Sequence, residues 1–410
     1  MRAETPLKFV LIGHIDHGKS TLIGRLLYDT NSLPPDKVEE VRKASKDVGD
    51  SEIEFAFVMD HLREEREQGI TIDIAYSFFR SKKREYVIID APGHVEFVKN
   101  MLTGASQAEA ALLIVDAVEG VEEQTKRHAN LISMLGIKQV IVVINKMDLV
   151  NFKEDLFSSL KNEIEDFLLS LNLKPSYYIP ISALKGDNIV KESESMRWYK
   201  GPTILGALDS LKSDPLPVDK ELIFPIQDVY KIRGKRIAVG RIETGSLSIG
   251  EEVEILPNGE KTFIKSIEKF EGEIEKAEAG ESIGITTETP VFLERGFVLV
   301  RKGEEPLVGE SLNANLIWFS KEPLKKEERL TIRLATQETK GSILKIRRRI
   351  DSSSLKILEE NGSSLNNLEI GEVEIRTKKP IVFTKFNKVK EMGRFVLIRE
   401  NDLVAGGIIN

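Results

Sequence analysis

The stretch GHIDHGKS, residues 13–20, sets two glycines, a lysine and a serine at the spacing G-x-x-x-x-G-K-[ST]. It follows the apolar run KFVLI and precedes KSTLIGRLLYD, whose apolar residues recur at helical spacing. The glycines let the backbone turn its N–H groups inward around phosphate oxygens, and the positive end of the next helix adds to the pull. Asp16, His17, Gly18, Lys19, Ser20 and Thr21 are therefore the expected phosphate-binding set. Lys19 would reach the β- and γ-phosphates, and the Ser20 hydroxyl would ligate Mg²⁺. A glycine-rich turn arising by chance would have no reason to fall between a strand and a helix.

YVIIDAPGH (86–94) ends a second apolar run on Asp90. A strand of a parallel sheet delivers such a residue to its carboxyl end, where these sheets bind ligand. Asp90 can hold Mg²⁺ through water, Gly93 can offer an N–H to a γ-phosphate, and His94 stands where an attacking water would be oriented. Alone, this pattern is also that of an ordinary turn; a phosphate loop in the same sheet favours the ligand. INKMD (144–148) supplies recognition of the base. Asp148 can accept from two adjacent N–H donors of guanine. Adenine lacks that pair and would leave a buried acceptor unpaired, so the pocket discriminates. Asn145 and the Lys146 stem would brace the loop and cover the ring. ISAL (181–184) would bring the backbone of Ser182, Ala183 and Leu184 near the guanine oxygen. In this order the four stretches read as a GTP-binding domain, with GTP/GDP and Mg²⁺ as cofactors.

A GTPase needs a second hydroxyl on Mg²⁺, from a loop that leaves when the γ-phosphate is lost. EREQGITID (65–73) lies between the phosphate loop and DAPGH, where that loop must be. Thr71 becomes a metal ligand beside Ser20 and Asp90, and Gly69 the hinge. Ile70 and Ile15 would screen the catalytic water from His94 until a partner activates it. His94, Lys19 and Thr71 are thus the expected catalytic residues. A helix cap leading into an edge strand also accounts for this stretch locally.

The elements that must position these residues follow from periodicity. KFVLIG, YVIID, AALLIVD, QVIVVIN and YYIPIS are short β-rich runs alternating with amphipathic stretches up to about residue 210. That alternation implies βαβ units: a mostly parallel sheet with helices on both faces. KSDPLPVDK (212–220) reads as a linker, and the short β-rich runs and glycine turns beyond it are the signature of antiparallel barrels. The expected domains are 1–215, a P-loop GTP-binding domain, then β-barrels at 216–310 and 311–410. The length of 410 residues, 41% apolar and 30% charged, supports two or three soluble globular domains. There is no cysteine, which excludes thiolate metal sites and fits a cytoplasmic protein. The N-terminus resembles neither a signal peptide nor a membrane span. The net charge of −7 is uneven: residues 311–410 carry 19 Lys and Arg against 13 Asp and Glu. A mildly basic end on an acidic body suits an acidic or polyanionic partner.

GHIDHGKST, EREQGITID, DAPGH, NKMD and ISAL together resemble the translational GTPases of the elongation factor Tu and 1-alpha superfamily, over essentially the whole chain. Within it, Gln68 and EREQGITIDIAYSFF are similar to the GTPase subunits of bacterial sulfate adenylyltransferase, as is LIWFSKEPLKKEERLTIRLATQETKGSILKIRRRID (316–351). GDNIVKESESMRWYKGPTILGALD (186–209) is similar to both branches. Ala91 departs from the threonine expected in close relatives, and Gly393-Arg394-Phe395 is closer to elongation factors. The resemblance implies that GTP hydrolysis is coupled to an ATP-pyrophosphatase-like catalytic subunit that adenylates sulfate; no fused adenylylsulfate kinase is expected after residue 410. The alternative is an elongation factor delivering aminoacyl-tRNA. Its one residue-level hint is Arg347-Arg348-Arg349. Neighbours in a strand alternate faces, so the triplet is not expected to form one RNA-binding row. Low aromatic content offers no stacking platform for bases.

Overall fold

The computed structural model describes residues 6–33, 35, 38–39, 75–90, 108–213, 215–232, 234–270, 272–301 and 306–410. Gly69, Ile70, Thr71, Ala91, Gly93 and His94 lie outside the described residues. The chain divides into two compact units, one of residues 1–214 with 352–354 and one of residues 215–351 with 355–410.

The first unit is built on six strands, β1 (Leu7–Gly13), β2 (Ala75–Arg80), β3 (Glu85–Asp90), β4 (Ala110–Asp116), β5 (Gln139–Asn145) and β6 (Tyr177–Pro180), in the order β2-β3-β1-β4-β5-β6. β2 runs antiparallel to β3 at the edge, and the other pairings are parallel. Parallel strands are covered on both faces, which is why their sequences are continuous apolar runs rather than alternating ones. Leu7, Phe9 and Leu11 of β1 share a core with Leu22, Ile23 and Leu26 of α1 (Lys19–Asp29) and with Ile204, Ala207 and Leu208 of α4 (Ile204–Ser210). Val10 and Ile12 point to the opposite face and are equally buried. The helices α2 (Glu123–Met134) and α3 (Glu154–Ser170) bury Leu131, Ile132, Ile164 and Leu168. Thr203 caps α4 by accepting from the Gly206 N–H.

The second unit holds two closed antiparallel barrels, as the texture of its sequence leads one to expect. In the first, strands Glu252–Leu256, Val298–Arg301, Ile223–Ile232, Lys235–Arg241, Ser282–Thr287 and Glu260–Lys269 follow one another, and the last pairs back with the first. In the second, Leu330–Leu334, Arg394–Arg399, Asp402–Ile409, Leu307–Trp318, Glu369–Phe383 and Gln337–Asp351 close in the same way. Closure leaves no ring strand with an unpaired edge. Ile223, Leu256, Val298 and Val300 of the first barrel belong to the same buried cluster as Trp318, Leu330 and Phe395 of the second. Among the described residues no helix is long and apolar enough to cross a membrane.

Candidate guanine-nucleotide site

Parallel order brings every described site residue to one end of the sheet. Leu11 of β1 is in register with Asp90 of β3, and Asp116 of β4 with Asn145 of β5. The phosphate loop therefore lies between the carboxyl ends of β3 and β4, and the base loop follows β5.

The loop from Gly13 to Ser20 is held by its glycines and by contacts beneath it. Gly18 sits at φ +88°, a left-handed conformation that glycine adopts without strain, and a Cβ there would collide with Asn145 Nδ2. Asp16 also has positive φ and stands in solvent. Lys19 is 7% exposed, and its Nζ donates to the Gly13 and His14 carbonyls at 3.1 and 2.8 Å. Burial lowers the Lys19 amine to about 8, although the nearby carboxylates of Asp90 and Asp16 pull the other way. A buried amine so poised is strongly served by an anion. Ser20 and Thr21 lie half-buried in the first turn of α1. His17 is fully buried, and both ring nitrogens are engaged: Nε2 lies 3.1 Å from Glu119 Oε2 and Nδ1 lies 3.4 Å from the Ile114 carbonyl.

Asn145 pins three loops at once. Its Nδ2 donates to the His17 carbonyl at 2.8 Å, and its Oδ1 accepts from the Ala183 N–H at 2.9 Å. Asn145 is 2% exposed, so losing either bond would leave a buried polar group unpaired. Lys146 adopts positive φ and reaches Asp116 Oδ2 at 2.6 Å. Asp148 lies half-buried in the 3-10 turn Met147–Val150, whose Met147 N–H donates to the Ile181 carbonyl. Ser182 is fully buried and accepts from the Lys185 N–H through its hydroxyl. Ala183 is buried, and Leu184 is exposed at the rim. Asp90, 2% exposed, ends β3 close enough for its charge to act on Lys19.

Two residues of this assembly went unnoticed in the sequence: Asp116, which ends β4, and Glu119, in the turn that follows it. Their one signal was position, since DAVEG occupies the carboxyl end of a buried parallel strand between the two loops already identified.

The family model for the elongation factor Tu GTP binding domain matches residues 4–220, more than half of the chain. This chain belongs to the elongation factor Tu-like GTPases. The family's other parts match in order: elongation factor Tu domain 2 over residues 235–300 and a GTP-eEF1A C-terminal domain-like model over 311–410. The nucleotide bound by this elongation factor Tu-like chain is accordingly a guanine nucleotide. Among full-length relatives, sulfate adenylyltransferase subunit 1 of Aliarcobacter butzleri is 39% identical, over 98% of this chain and 87% of its own. Elongation factor 1-alpha of Methanoculleus marisnigri is 40% identical, over 100% of this chain and 98% of its own. A second sulfate adenylyltransferase subunit 1, from Francisella tularensis subsp. novicida, is 38% identical over 98% of this chain and 85% of its own.

Proposed function

We propose that this chain is the GTP-hydrolysing subunit of a sulfate adenylyltransferase, acting on an ATP-pyrophosphatase-like partner that adenylates sulfate. Adenylation of sulfate is strongly uphill. A subunit whose GTP and GDP states bind that partner differently supplies the drive, because a switch moves an equilibrium only by its differential affinity for the two states. Relatives of both names span the chain, so likeness alone does not choose between them.

The observation that carries the choice is the state of the arginine triplet. Arg347 Nη2 lies 3.2 Å from Glu374, and Arg348 lies 3.4 Å from both Glu360 and Glu372. Arg349 pairs with Glu359 and forks onto both oxygens of Glu369, at 3.0 and 2.8 Å. A protein gains affinity for a phosphate backbone when its free cations displace the counterions condensed on the phosphates. Here five glutamates already neutralise the three arginines, which favours a protein partner for this face over tRNA.

Within the proposed domains, 1–215, 216–310 and 311–410, the first does the chemistry. Lys19 holds the β- and γ-phosphates, and Asp148 reads the guanine edge. Asp90 and Ser20 offer hard oxygen donors that fit Mg²⁺, an ion that takes few protein oxygens and keeps waters and phosphates as its other ligands. When bound, Mg²⁺ offsets charge on the phosphates. Thr71 is proposed as a further ligand, and His94 as the residue that orients the water.

The elongation-factor reading has its own support, since the elongation factor 1-alpha relative is matched over nearly its whole length. One experiment separates the two. The purified chain, loaded with GDP or a non-hydrolysable GTP analogue, is offered a purified ATP-pyrophosphatase-like sulfate adenylyltransferase subunit and, separately, aminoacyl-tRNA. The proposal expects nucleotide-dependent binding of the subunit and GTP turnover that rises with ATP and sulfate. GTP-dependent capture of aminoacyl-tRNA alone would overturn it.

A further inference from the structure

The turn after β4 touches both halves of the nucleotide site. Asp116 is 1% exposed, and each of its carboxylate oxygens is engaged: Oδ2 holds Lys146 Nζ at 2.6 Å, and Oδ1 accepts from the Val118 N–H at 2.7 Å. The turn closes on itself through the Gly120 N–H and the Asp116 carbonyl, with Gly120 at φ +75°. Its Ala117 N–H donates to the Asn145 carbonyl, so it is also tied to the start of the base loop. Three residues after Asp116, Glu119 reaches His17 in the phosphate loop.

That second contact has a preferred proton arrangement. His17 faces two acceptors, the Glu119 carboxylate at 3.1 Å and the Ile114 carbonyl at 3.4 Å. Burial lowers its pKa below the ordinary value, against the pull of the Ile114 carbonyl, Asp116 and Glu119. A neutral imidazole has one N–H to give, and the carboxylate is both the nearer and the stronger acceptor. The Nε2–H tautomer donating to Glu119 follows. The Glu119 side chain is otherwise 47% exposed, so its anchoring to a fully buried ring is what gives it a role.

We propose that the turn 116–120 is a brace between the phosphate and base subsites. In it Asp116 positions Lys146 over the base, and Glu119 positions the phosphate loop through His17. Both act through a neighbour and neither touches the nucleotide. The brace depends only on guanine-nucleotide binding, not on the identity of the partner.

The two arms act on different parts of the ligand, so they separate by probe. Binding of a fluorescent GDP analogue reads both subsites, whereas competition by inorganic tripolyphosphate reads the phosphate loop alone. Asp116→Asn is expected to weaken GDP about tenfold, the scale of one charge-assisted hydrogen bond, and to leave tripolyphosphate unchanged. It should add nothing further in a Lys146→Met background. Glu119→Ala is expected to weaken both ligands by a similar factor of roughly three to ten, with Glu119→Gln, which keeps an acceptor, recovering most of the loss. Melting temperature monitors folding throughout, and the half-exposed Glu119 serves as the arm least able to disturb the core. Three results would overturn the brace. One is equal weakening of both ligands by Asp116→Asn; another is an undiminished effect of that change in Lys146→Met. The third is a Glu119→Ala protein that binds tripolyphosphate as well as the parent does.

Discussion

Lys19 shows how burial alone prepares a residue for its ligand. Removed from water, its amine falls from the ordinary 10.5 to about 8 even with two carboxylates near it. Phosphates then return the missing counter-charge. The sign follows from linkage. The unfolded chain keeps the Lys19 proton up to the ordinary value while the folded, nucleotide-free protein releases it above pH 8, so this residue favours folding more as pH rises between the two. Binding goes the opposite way, because the phosphates need the ammonium. GDP affinity is expected to be level below pH 8 and to fall above it, by at most about tenfold per pH unit. Titrations of GDP between pH 7 and 9.5 read this directly; a level affinity throughout would mean the amine stays charged. Asn145 and Lys146 were legible from INKMD as base-loop residues. That Asn145 also anchors the phosphate loop at His17 was not, because the partner lies 128 residues away.

At the scale of elements, the strand Gln337–Asp351 and its neighbour Glu369–Phe383 form a ladder of charges rather than a basic row. Opposed Arg and Glu on paired strands are stabilising neighbours, and exposed pairs contribute only about 0–1 kcal/mol each. Arg347 and Arg348 are the exposed members, whereas Arg349 is more deeply set, its pKa raised chiefly by hydrogen bonding to Glu369 and Glu359. Replacing Arg347 and Arg348 by alanine is therefore expected to lower the melting temperature only slightly and to leave retention on immobilised RNA unchanged. A clear loss of RNA retention would return these residues to the elongation-factor reading. The sequence did not foresee this. Strict alternation would set Arg347 and Arg348 on opposite faces, whereas a register shift between Ile346 and Arg348 leaves both exposed. They lie opposite Glu374 and Glu372, which share a face of their strand. Nor did the sequence disclose the glutamates, which are brought opposite by sheet register.

For the second unit as a whole, the shared core of the two barrels has an electrostatic counterpart. Glu243 follows the strand Lys235–Arg241 of the first barrel, and Glu391 lies in the short helix Lys390–Gly393 of the second. Burial pushes the Glu243 carboxyl up to about 7; the like charge of Glu391 adds to this, and Arg241 and Arg394 oppose it. A carboxyl raised above its unfolded value of 4.5 lends stability that is fully present below pH 4.5 and is lost as pH rises through 7. Glu243→Gln should melt close to the parent at acid pH and higher than the parent at pH 8, by an amount of order 1–3 kcal/mol. Thermal melts at pH 4.5 and 8 check this. A variant no more stable than the parent at pH 8 would show that the ionised carboxylate is well solvated.

What the sequence determined by itself was local. Glycines at fixed spacing, a lysine and serine at a helix start, and acidic residues ending buried strands identify guanine-nucleotide chemistry, because each depends on residues close together in the chain. Alternating apolar runs likewise marked a parallel sheet and then barrels. Tertiary structure alone decided which groups face one another. Strand order put β4 between the phosphate and base loops and gave Asp116 and Glu119 their partners. Register opposed arginines to glutamates, and the packing of the second unit left Glu243 half-buried near Glu391. These are pairings between distant residues, whose energies depend on distance and desolvation, quantities that the order of residues along the chain does not contain.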